Sequence, residues 1–193
     1  MRPYEVVCAP YAAWIAPLGT PFPDLLSTPN TTWSPLGTSG SLNYSDNGVT
    51  VTHGQTMGTF IPAGGTTVRK AWRTQETFTL AFEIADLSPA QYSQVLDGAV
   101  LTTSTATTAL AGDQHMEVMR GVQVKQFGLL VKGISPVNEA YAAQYEVGSC
   151  YQSANPAPRY SKQGPALLAV QFDAMELVPG QMCTWRAQTT PHT

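Results

Sequence analysis

The stretch from Thr74 to Val100 constrains this chain most, because its period changes once and the change is marked. Phe78, Leu80, Phe82 and Ile84 alternate with Thr77, Thr79, Ala81 and Glu83, the two-residue period of a strand with one buried and one wet face. Ser88 then supplies an N-cap, and Pro89 takes the first helical position, where its missing N–H costs nothing. Gln91 completes a capping box with Ser88, and Leu87 staples onto Tyr92. Tyr92, Val95, Leu96 and Ala99 keep helical spacing, with Gly98 as the C-cap. The expectation is a helix over about 88–97, packed on the sheet through Leu87, Tyr92, Val95 and Leu96. What uses the polar face of that sheet becomes the functional question.

The rest of the chain reads mainly as strands. Tyr4 to Ala9 is a first strand. Tyr11 to Leu18 carries Trp14 and Ile15 between prolines. Residues 20–31, with Pro21, Pro23 and Pro29, are an ordered loop onto which Trp33 to Leu36 docks. Gly37-Thr38-Ser39-Gly40 is a turn. Asp46-Asn47-Gly48 reads as a hairpin turn between Leu42–Tyr44 and Val49–Val51. Periodicity is lost over residues 52–75, which predicts a long inter-strand loop, and loops of that length in compact domains are usually functional. The loop carries Arg69, Lys70 and Arg73 around Trp72. Leu101 to Leu110 is a Thr/Ala tract compatible with strand or flexible loop. Strands are expected over 114–119, over 121–132 with Gly128 at a bulge, over 142–151 and over 168–175. Ser135–Asn138 and Pro179-Gly180 turn, and residues 179–193 form a short tail. With about seven to nine strands and one helix, the expected fold is a single mainly β domain over 1–193, a β-sandwich or half-barrel with one flanking α-helix.

Composition narrows the function. Only 12% of the 193 residues are charged and the net charge is −3. That balance argues against phosphate-neutralising nucleic-acid binding, and a charge-poor surface suits protein–protein contact. No apolar run approaches the roughly 18–20 residues of a membrane helix, and no secretory leader is visible. Cys8, Cys150 and Cys183 lack metal-ligand spacing. They read as reduced structural thiols, with one disulfide and one free thiol as the alternative. His115-Met116-Glu117 is half of a zinc-deaminase signature without its Cys half. His53 and His192 have no nucleophile motif beside them, and Asp86 and Asp97 are not a paired carboxylate site. The Gly37–Gly40 turn is at most a backbone anion cradle. No catalysis, metal or cofactor is expected.

The order of these segments carries a resemblance. Gly37-Thr38-Ser39-Gly40, Asn43-Tyr44, Asp46-Asn47-Gly48-Val49-Thr50-Val51-Thr52-His53, Arg69-Lys70-Ala71-Trp72-Arg73-Thr74, the Phe78–Ile84 strand into Ala85-Asp86-Leu87-Ser88, Ala143-Gln144-Tyr145-Glu146-Val147 and Tyr151-Gln152-Ser153-Ala154-Asn155-Pro156 follow one another as in major tail proteins. The chain thus resembles the tail tube proteins of long-tailed bacteriophages and related gene-transfer particles over most of residues 4–178. The resemblance implies hexameric rings whose sheets join into one large ring-closed β-barrel. The rings stack into a virion tail tube that is made in the bacterial cytoplasm and conducts DNA as non-specific cargo. It also implies tail terminator, tape-measure and tail-tip proteins as partners, with no membrane anchor. Under it, Arg69, Lys70, Trp72 and Arg73 are expected at inter-ring or inter-subunit contacts. Thr77, Thr79, Glu83, Gln144, Glu146, Gln171 and Asp173 are candidates for the lumen. The competing readings are another ring-forming virion protein (terminator, head–tail joining or decoration protein) and a carbohydrate- or receptor-binding β-sandwich presenting Trp14, Trp33, Trp72 and Trp185.

Overall fold

The computed structural model describes residues 11–37, 44–97, 99–135, 138, 141–162 and 164–190. The expected strand at Tyr4–Ala9, most of the Gly37–Gly40 turn, Leu42, Asn43, Gly98, two residues of the 135–138 turn, Cys8 and His192 lie outside them. Among the described residues, ten strands and one helix follow in the order β1 (Tyr11–Pro17), β2 (Ser34–Leu36), β3 (Thr50–Phe60), β4 (Lys70–Ile84), α1 (Pro89–Val95), β5 (Leu101–Ser104), β6 (Asp113–Met116), β7 (Phe127–Ile134), β8 (Ala142–Gln152), β9 (Leu168–Ala174) and β10 (Thr184–Ala187). The mainly β expectation holds. The large sheet is antiparallel, ordered β2-β1-β7-β8-β9-β4-β3, with β10 on β8 beside β9; β5 and β6 form a separate pair.

One face of the sheet is the core. Phe78, Leu80, Phe82 and Ile84 of β4 meet Phe127, Leu129 and Val131 of β7, Val147 and Cys150 of β8, and Leu168, Val170 and Phe172 of β9. On β4, β7 and β9 these are alternate residues, so pleating alone delivers them to one side. On β8 a bulge protects the pattern. Leu129 pairs Val147 while Phe127 pairs Cys150, so three steps on β8 match two on β7, and both Val147 and Cys150 stay inside. Gly128 does sit at an irregularity, but the extra residue belongs to the partner strand.

Tyr44 draws the sheet into a curl. It bridges Ile84 at the end of β4. Its hydroxyl accepts from Ala13 N at 2.9 Å and donates to Leu36 O at 2.5 Å, joining β4 to β1 and β2 near the sheet's far end. Its ring packs edge-on against Phe82 at 5.5 Å. Asp46-Asn47-Gly48 is not a hairpin turn. Ser45 N donates to Glu83 O and Thr50 pairs Ala81, so the chain loops out and resumes along the same strand, with Gly48 at φ +68 closing the turn.

The helix begins as expected: Ser88 caps it, its hydroxyl accepting from Gln91 N at 3.3 Å, and Pro89 follows. The capping box is only half made. The Gln91 side chain accepts instead from Gly37 N at 2.8 Å, and Ser88 N turns to Asp86 Oδ1, so the cap also ties the helix to the segment after β2. Val95 joins the core cluster, with Leu87 and Tyr92 against it, and Leu96 is buried. The helix ends at Leu96, followed by Asp97 at φ +60, a left-handed position that costs a non-glycine residue about 1 kcal/mol. Asp97 Oδ1 is buried without a partner, and burial pushes its carboxyl above the usual range despite Arg120 and Lys125 nearby.

Two expectations need correction. Residues 52–75 are not one long loop: β3 and β4 pair from Thr50–Ala81 to Phe60–Lys70 with one register shift, and only residues 61–69 form the connection. The C-terminal segment is not only a tail, since β10 pairs Glu146 to Ala143 of β8.

Candidate functional site

The β3–β4 hairpin outruns the rest of the sheet. β9 accompanies β4 only over Thr79–Ile84, so the ladder beyond His53–Phe78 projects as a two-stranded arm. Its sequence explains its exposure: alternation persists there without apolar contrast, Thr52, Gly54, Thr56 and Gly58 on one side, and Val51, His53, Gln55 and Met57 on the other. Small residues on one side let partner side chains lie across the strand. Trp72 pairs Gly58, and a Cβ at Gly58 would meet the Trp72 ring at 2.6 Å. Trp72 therefore packs on its own arm rather than on the core, and remains 46% exposed. A register shift between Thr56 and Met57 brings Arg73 to Gln55 (3.0 Å) and Glu76 (3.3 Å). At the tip, Gly65 N donates to Pro62 O and Arg69 N to Phe60 O.

The tip is apolar and cationic. Met57, Phe60, Ile61 and Val68 are each about half exposed. Arg69 and Lys70 have no ion pair among the described residues. Arg69, Lys70, Trp72 and Arg73 are thus brought together as expected, but on a strand and its turn. Sequence reasoning missed Met57, Phe60, Ile61 and Val68, whose signal was the small-residue alternation preceding them.

The seven lumen candidates divide. Thr79 pairs Asp173, Ala81 pairs Gln171 and Glu83 pairs Ala169, on the sheet face opposite the core. Thr79 Oγ1 donates to Asp173 Oδ1 at 2.9 Å, Gln171 Nε2 to the same oxygen at 3.2 Å, and Asn47 Nδ2 to Glu83 Oε2 at 3.1 Å. With exposed Thr77 this is a partly exposed, acidic strip, and Glu83 lies on the side away from Val95 and the helix. Gln144 and Glu146 do not join it. Gln144 is 0% exposed because the proline-rich loop of residues 18–33 folds over that part of the sheet. The loop is held by its carbonyls: Gln144 Nε2 donates to Pro23 O at 2.9 Å and Lys132 Nζ to Ser27 O at 2.7 Å. Burial lowers the Lys132 pKa. Glu146 is 10% exposed and pairs Arg186 at 2.9 Å, which also lies 3.7 Å from Asp24. Trp33, 3% exposed, packs with Phe22 on Leu130 and Ala16, so it offers no sugar platform.

At the base of the arm, His53, Glu76 and Phe78 face Tyr145, Glu176 and Trp185 across a half-open cleft of about 520 Å³. The His53 ring stands edge-on to Phe78 at 4.7 Å, and Tyr145 stacks on Trp185 at 6.3 Å. Cys183 also lines this cleft, and burial pushes its thiol up to about 12; Cys150 Sγ donates to Phe127 O in the core, its pKa likewise raised by burial. Alkylation of Cys150 and Cys183 at pH 8 should run about a hundredfold or more slower in the folded chain than in urea, because the thiolate is the nucleophile. Peptide-resolved mass spectrometry reads this site by site, and equal rates would contradict the burial.

His115 is exposed on β6 beside Asp113 at 3.3 Å, and no cluster of metal-ligating side chains occurs among the described residues. No described helix is long and apolar enough to cross a membrane. Comparison with protein-family models and with curated proteins finds no match to this chain.

Proposed function

We propose that the protein is a structural tail-tube subunit, forming hexameric rings that stack into a conduit for DNA. The observation that carries this reading is the arm: a hairpin extending past its sheet, with large apolar side chains and two cations at its tip that have no ion pair among the described residues. Such a surface is a liability on an isolated molecule and a resource in an assembly. Two features support it. β3 ends the sheet order, leaving an edge on which a neighbour's strand can pair. The outer strip bearing Glu83 and Asp173 makes no ion pair among the described residues, and a wall of that sign repels phosphate and lets DNA slide.

Negative-stain electron microscopy of the concentrated protein tests the reading. Hollow tubes of stacked rings are expected; single rings alone would instead favour a terminator or joining protein, and monomers at every concentration would remove the assembly reading. Charge reversal of Arg69 and Arg73 together (R69E/R73E) is expected to abolish tubes while leaving a folded monomer by circular dichroism. Tubes of normal length from that variant would contradict the role of the arm.

A further inference from the structure

We infer that the cleft at the base of the arm receives the arm tip of a second copy. The inference rests on the reading of the arm as an assembly element and names the surface it meets. Three observations converge. The tip of residues 61–68 is uncharged, flanked by Arg69 and Lys70, and presents Phe60, Ile61 and Val68. The cleft is lined by matching groups: the aromatic Phe78, Tyr145 and 60% exposed Trp185, and the carboxylates of Glu76 and Glu176. Glu76 is paired to Arg73 at 3.3 Å with both groups about half exposed, a pair that contributes little on its own and yields to a competing cation. His53 is the remaining titratable group on the arm side of the cleft, and Cys183 and Tyr145 those on the opposite side.

A chain cannot fill its own cleft. Eight residue steps of strand, paired to β3 on both sides of the register shift, separate Phe78 from Lys70, so the tip is held up to about 26 Å from the base at roughly 3.3 Å per residue. The occupant is therefore another molecule, and the tip of an identical chain carries the complementary charge and apolar side chains.

Charge-swapped full-length chains test this. The tip variant R69E/K70E and the cleft variant E76K/E176K, each verified as folded by circular dichroism, are expected to raise the concentration needed for self-association, read by sedimentation, by about tenfold or more. Mixing the two should restore assembly, since each pairing then joins opposite charges, and the quadruple variant should assemble alone. The neutral variant E76Q/E176Q should be weakened without being rescued by the tip variant. If the tip variant is impaired while the cleft variant assembles normally, or if mixing restores nothing, the cleft is not the receptor although the arm remains an assembly element. A wild-type chain that stays monomeric throughout removes both readings together.

Discussion

Replacing Trp33 by alanine is expected to cost about 3–5 kcal/mol of folding stability, the usual range for deleting a buried indole. Trp33 is 3% exposed. Its ring meets Phe22 at 5.2 Å, tilted by 36°, and its Nε1–H donates to Pro21 O at 3.2 Å. That bond matters because residues 18–33 contain three prolines, which have no N–H for a ladder; the loop is held by carbonyls accepting from Trp33, Lys132 and Gln144. Without the indole the loop loses its packing on Leu130 and Ala16, and Gln144 loses its cover. Urea unfolding monitored by circular dichroism measures the effect. A loss under about 1 kcal/mol would show that the loop is held without Trp33 and place the substitution among ordinary surface changes.

The second large effect is expected from Tyr44→Phe, at about 2 kcal/mol. Phenylalanine keeps the edge-on contact with Phe82 and removes only the hydroxyl. The amide of Ala13 and the carbonyl of Leu36, both on residues about 1% exposed, then lose that partner, and an orphaned buried group costs about 1–3 kcal/mol. For a chain of this size the melting temperature should fall by about 4–8 °C. Burial also holds the Tyr44 pKa above that of free tyrosine, so in the wild type this phenol should titrate above the free-tyrosine range in an ultraviolet pH scan. An unchanged melting temperature would mean that the curl of the sheet does not depend on this bridge.

The parts of the fold legible in the sequence are those where burial writes a contrast. β4, β8 and β9 show their core faces because the large apolar residues of Phe78–Ile84, Val147 and Leu168–Phe172 alternate with small or polar ones. The start of α1 shows because Ser88-Pro89 has a local mechanism. The arm was hidden for the converse reason: neither face of its distal part is buried, so Thr, Gly and Gln carry the alternation and the signature of a strand is lost. β10 is short, and its Trp185 is 60% exposed, which leaves a pattern like that of a tail. Gln144 shows the deeper limit. Alternation placed it opposite the core, but only the tertiary path of the loop decides whether that face is open. Gln91 makes the same point at a cap, where a distant backbone amide at Gly37 outcompetes the local one.

The spacing between tip and cleft has a consequence for any filament built from this contact. In such a filament each tip fills the cleft of the next copy while its own cleft takes the tip of the one before, so the contact is head-to-tail. The filament is then polar. One terminus displays vacant clefts with their glutamates, the other bare cationic tips. Whatever stops growth or attaches cargo at the two termini must differ in sign, acidic where it covers tips and basic where it fills clefts.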